Sequence, residues 1–114
     1  MYASGSWQGF WVQGHMGRQE MTPFSLHFTS GQVIGEGKDI IGRFTFAGEY
    51  DVKTGKIRLI KQYIGRHEVL YIGEPDGEGC IQGVWYIGER HHGPFAIRPA
   101  IRKARGDEPI QEMT

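Results

Sequence analysis

Gly42-Arg43-Phe44-Thr45-Phe46-Ala47-Gly48-Glu49-Tyr50 alternates with a period of two. Phe44, Phe46 and Tyr50 share one side with the two glycines, while Arg43, Thr45 and Glu49 share the other. That is the pattern of a strand with one face in a core and one in water. Outward from this stretch, cuts at Gly, Asp, Pro and Ser clusters leave segments near 5–14, 20–29, 32–38, 41–50, 56–64, 67–74, 80–88 and 93–100. Each is rich in β-branched or aromatic residues, and none has a 3.6-residue apolar period. The links are short, among them Thr29-Ser30-Gly31-Gln32, Gly37-Lys38-Asp39, Gly65-Arg66-His67 and Glu89-Arg90-His91-His92-Gly93. Connections of this length join only antiparallel neighbours. The expected fold is all-β: one small antiparallel up-and-down barrel of about eight strands, closed so that no sheet edge is left exposed.

With 114 residues the chain supports a single core, placed here in residues 1–100, with a C-terminal tail over 101–114 where alternation stops. Thirteen basic and thirteen acidic side chains cancel, so no overall field draws in nucleic acid or anionic lipid, and neither is an expected partner. A lone cysteine, Cys80, excludes an internal disulfide. The opening MYASGSWQGF has no basic region followed by an apolar one, and no run of eighteen apolar residues occurs, so a cytoplasmic location is expected.

Alternation places Trp11, Leu26, Phe28, Phe44, Phe46, Tyr50, Ile57, Leu59, Tyr63, Val69, Tyr71, Ile81, Trp85, Ile87, Phe95 and Ile97 inside. A weak repeat pairs glycine with an aromatic on the first, fourth and seventh strands: Gly9-Phe10-Trp11, Gly42-Arg43-Phe44 and Gly83-Val84-Trp85. This pairing lets a strand curve. The opening Gly5-Ser6-Trp7-x-Gly9-x-Trp11, the Gly42–Tyr50 run and Gly83-x-Trp85 resemble the calycin-type barrels: avidins, lipocalins and fatty-acid-binding proteins. That resemblance implies a barrel holding a small apolar ligand. It carries over no binding residue, because the polar set that holds biotin in avidins has no match at these positions.

A meander puts its odd-numbered turns at one end and its even-numbered turns at the other. The odd end gathers His15, Arg18, Lys38, Asp39, Arg66, His67, Arg90, His91 and His92; the even end gathers Asp51, Lys53, Lys56, Glu74, Asp76 and Glu78. His15, Arg18, Arg66, His67, His91 and His92 are therefore candidates for contact with a small apolar or anionic ligand at the odd mouth. Metal binding is the weaker reading of the histidines, since adjacent His91 and His92 project oppositely in an extended chain. Lys61 shares the inner face of Ile57, Leu59 and Tyr63, and is a seventh candidate. Its two readings are an ammonium that meets a ligand and, preferred, a side chain that escapes to water through a bulge or strand end.

Ser25, Ser30 and Cys80 have no paired base around them, and Gly35-Glu36-Gly37 is not followed by a helix, so no catalytic residue and no cofactor emerge. Ile60, Leu70, Ile72, Val84 and Tyr86 point outward from strands five to seven, an apolar patch that leads to the expectation of a homodimer. Three functions stay open: a small-ligand-binding barrel, a non-enzymatic interaction or oligomerisation module with a filled core, and, least favoured, an enzyme using the histidines or Lys61.

Overall fold

The computed structural model describes residues 2–100, and the expected tail over 101–114 lies outside the described residues. Eight strands follow in order: β1 (Gly5–Gln13), β2 (Gly17–Thr29), β3 (Gln32–Lys38), β4 (Arg43–Tyr50), β5 (Ile57–Tyr63), β6 (Glu68–Pro75), β7 (Ile81–Ile87) and β8 (His91–Pro99). Every strand pairs antiparallel with its sequence neighbour, and β1 pairs with β8, so the sheet closes on itself. The expected all-β, up-and-down barrel is the fold observed.

The core consists of the inward faces. All the expected interior residues are buried except Phe28, Tyr50 and Ile87, which are half-buried and pack against it. Tyr2, Trp7, Met21, Phe24 and Val33 are buried as well, beyond the expected interior set. Met21 is hidden from a period-two reading by a break in phase, whereas Phe24 keeps step with Leu26 and Phe28. Trp7 pairs with Phe24 but Gly9 pairs with Met21, so β2 carries one extra residue at Thr22-Pro23. Proline fits a bulge because it has no N–H to give the ladder.

Glycine lets the strands approach closely. A Cβ at Gly48 would overlap the Arg58 carbonyl oxygen on β5. At Gly93 it would overlap the Val12 carbonyl oxygen and press on the Trp85 indole, 2.9 Å away. The ring of Trp85 on β7 thereby reaches past β8 and donates from Nε1 to the Val12 carbonyl on β1, at 2.9 Å.

The two ends differ in construction. At the even end Tyr2 lies against Trp7, Phe28 and Tyr50 and donates its hydroxyl proton to the Gly55 carbonyl in the β4–β5 turn. Trp7 Nε1 donates to the Ala3 carbonyl at 2.8 Å, so the N-terminal segment is pinned across that end. The carboxylates expected there serve their own turns. Asp51 Oδ1 accepts from the N–H groups of Lys53 and Thr54, and Asp76 Oδ1 from those of Glu78 and Cys80.

On the outer wall the register joins the apolar residues into one patch. Ile60 stands opposite Leu70, Leu70 opposite Tyr86, and Ile72 opposite Val84. Ile72 and Tyr86 are 39% and 38% exposed. No helix among the described residues is long and apolar enough to cross a membrane.

Candidate functional site

The odd end opens into a cavity of about 300 Å3. Its walls are Trp11 (β1), Ile41 (β3–β4 turn), Tyr63 (β5), Val69 and Tyr71 (β6), Trp85 and Ile87 (β7), with Gln13 and His67 as the polar members. Trp11 and Trp85 meet edge to face with ring centroids 6.4 Å apart. A volume of this order suits a small ligand.

Behind the wall lies an ion pair that the preferred reading of Lys61 did not anticipate. Lys61 does not reach water: its side chain is 0% exposed, because β5 runs regularly past it with Phe46 and Val69 as cross-strand neighbours and no bulge to release it. Its ammonium lies 2.7 Å from Asp39 Oδ2. The faces of Phe44 and Tyr63 stand 4.3 and 4.7 Å from the nitrogen, measured to the ring centroids. A cation among aromatic faces is attracted by their quadrupoles, but the burial is affordable only because a carboxylate is present.

Asp39 is placed by its turn. Its N–H donates to the Gly42 carbonyl at 3.1 Å, and its Oδ1 accepts from Ile41 N–H at 3.0 Å. These bonds aim Oδ2 inward, where it also accepts from Tyr63 Oη at 2.7 Å and Trp11 Nε1 at 3.1 Å. Burial alone would raise the Asp39 pKa, yet the Lys61 ammonium and the hydrogen bonds from Lys61, Tyr63 and Trp11 outweigh it and hold the carboxyl below the ordinary value of 3.8. Burial pushes Lys61 down to about 8 against the pull of Asp39. Tyr63 and Tyr71 are both raised, chiefly by burial, so both hydroxyls keep their protons.

The remaining sequence candidates are dispersed. His67 lines the cavity and packs against the Tyr63 ring, centroids 5.1 Å apart. His15, His91 and His92 join Arg90 in a separate groove on the outside, next to the cavity through the shared Trp85 and Gln13. His91 and His92 are strand residues, not turn residues, since they pair with Ile87 and Tyr86; the turn is confined to Gly88–Arg90, with Gly88 at φ +63°. Arg18 leaves the mouth for the outer wall, where it lies 3.9 Å from the centre of the Phe10 ring and bonds Glu20 at 2.6 Å. Arg66 is exposed in the β5–β6 turn, its backbone N–H given to the Tyr63 carbonyl. Among the described residues no three of His, Cys, Asp and Glu stand close enough together to hold a metal ion.

Sequence reasoning placed Asp39 at the odd end and Trp11, Tyr63, Val69, Tyr71, Trp85 and Ile87 in the interior without assigning them to a site, and it did not single out Gln13 or Ile41. A signal for Asp39 existed: it is a carboxylate in the odd turns, and an inward lysine requires one. Comparison with protein-family models and with curated proteins finds no match for the chain.

Proposed function

We propose that the barrel binds a small, largely apolar ligand in the cavity at the odd end, in the manner of the calycin-type barrels it resembles. The observation that carries this reading is the asymmetry of the molecule. One end is sealed by Tyr2, Trp7, Phe28 and Tyr50, while the other leaves about 300 Å3 walled by two indoles, two phenols and three aliphatic side chains. Burying apolar ligand surface against such walls is the main source of affinity. His67 is the candidate we retain at the rim. His15, His91 and His92, in the neighbouring groove, would meet only the polar end of a longer ligand. Lys61, its charge matched by Asp39, supports the floor and does not itself attract an anion. The single cysteine fits a reducing, cytoplasmic setting.

A thermal-shift screen of fatty acids, flavins, haem, biotin, bicyclic aromatics and metal ions tests this. Compact aromatic compounds are expected to raise the melting temperature, and Val69→Trp, which fills the cavity, to abolish the rise. A screen in which no compact apolar compound stabilises the protein, or in which Val69→Trp responds like the parent, overturns the reading.

The joined patch of Ile60, Leu70, Ile72, Val84 and Tyr86 favours a second role, pairing with another copy of this chain. A zero net charge leaves no overall repulsion between copies, and an apolar wall across three strands can face itself about a two-fold axis. Sedimentation is expected to give a dimer that Ile72→Glu converts to monomer. A monomeric mass at high concentration overturns this role and leaves the cavity reading untouched.

A further inference from the structure

The donors around the cavity can be followed proton by proton. Lys61 Nζ has three protons and three neighbours, Asp39 Oδ2 at 2.7 Å, Tyr71 Oη at 3.3 Å and Met21 Sδ at 3.5 Å. Tyr63 Oη and Trp11 Nε1 give their protons to Asp39, and Trp85 Nε1 gives its proton to Val12. Tyr71 is the exception. Its oxygen accepts from Lys61, but among the described residues its own hydroxyl proton has no acceptor, although the residue is 1% exposed. Tyr71 also forms part of the cavity wall. Buried hydroxyls are rarely left half-paired.

We propose that the Tyr71 hydroxyl is the anchoring donor for whatever occupies the cavity, and that the ligand carries a neutral hydrogen-bond acceptor, a ketone, ring nitrogen or ether oxygen, at the buried end of a flat apolar body. The inference rests on the cavity being a ligand site. The ammonium behind the Tyr71 oxygen polarises the O–H bond and strengthens its donation, as in any chain of hydrogen bonds running from a cation. A carboxylate is disfavoured at this end, because Asp39 already neutralises Lys61 and a second anion would be desolvated with no other cation beside Tyr71 among the described residues. A head that can only donate is less favoured, since it leaves the hydroxyl proton unpaired and meets an oxygen that already accepts from Lys61. The flat body follows from the indoles of Trp11 and Trp85, which offer ring faces and edges to an aromatic guest.

The test uses two probes of one shape, 2-acetylnaphthalene and 2-ethylnaphthalene, titrated against the full chain and followed by tryptophan fluorescence. The parent protein is expected to bind the ketone about tenfold more tightly than the hydrocarbon, the worth of one hydrogen bond. In Tyr71→Phe the preference is expected to vanish through weaker ketone binding, with hydrocarbon affinity unchanged. The carbonyl stretch of bound 2-acetylnaphthalene in the parent protein gives a second readout, independent of the variant's folding, and is expected at lower frequency than in hexane. Equal binding of the two probes to the parent, a preference that survives in Tyr71→Phe, or an unshifted carbonyl stretch overturns the proposal while leaving the cavity as a ligand site. Failure of both probes to bind overturns the cavity reading and the proposal with it.

Discussion

Lys61 and Asp39 are twenty-two positions apart in the chain and 2.7 Å apart in space. Removing either one strands the other. Lys61→Met leaves a buried carboxylate, and Asp39→Ala leaves a buried ammonium while also freeing Tyr63 and Trp11 of their acceptor. Each is expected to cost about 3–5 kcal/mol in urea denaturation. The double change Lys61→Met with Asp39→Asn is expected to cost clearly less than the sum, because the charges leave together and an amide oxygen still accepts; additive costs would show that the two do not act as a pair. Acid sensitivity has a definite sign. Since the folded Asp39 carboxyl lies below 3.8, the unfolded chain takes up its proton first. The stabilisation is therefore complete above that value and is lost as the pH falls through the lower folded one. Thermal unfolding followed from neutral pH downward should show this loss in the parent and a smaller one in the double variant.

At the scale of elements, the barrel depends on places where one strand or ring sits directly on another. Gly93→Ala is expected to cost about 1–3 kcal/mol by overpacking, because its methyl meets the Val12 carbonyl and the Trp85 ring. Trp85 should then lose its bond to Val12 and shift its fluorescence to longer wavelength; an unchanged spectrum would mean the indole is not clamped there. The N-terminal plug is a second such element. Tyr2→Ala is expected to cost about 3 kcal/mol in chemical denaturation, at the lower end for a buried aromatic because the residue stands at the rim. Much of this level was legible in the chain. Phe44, Phe46, Leu59, Tyr71 and Phe95 follow strict alternation, and tight glycine turns dictated the pairing of neighbours. Met21 was not legible, since the extra residue at Thr22-Pro23 puts it out of step with Phe24, Leu26 and Phe28. His91 and His92 were read as turn because glycine follows them, whereas the ladder to β7 extends two residues further.

For the whole molecule, the unlike ends predict an unlike response to a ligand. Hydrogen exchange with 2-acetylnaphthalene bound is expected to slow at Trp11, Val69 and Trp85 and to leave Tyr2 and Trp7 unchanged; uniform slowing would place the guest elsewhere or report only a global gain in stability. The sequence by itself determined the class, the order and number of the strands and the closure, because period-two alternation and turn length are local properties of neighbouring residues. The division into two ends was legible for the same reason, as it follows from the parity of the turns. Tertiary structure alone decided which end is plugged, which of the end residues face the cavity, that Arg18 lies along the outer wall, and that Lys61 is sealed in with Asp39. Those outcomes depend on curvature, strand stagger and the inward fold of one turn, which act between residues far apart in the chain and leave no periodic trace in it.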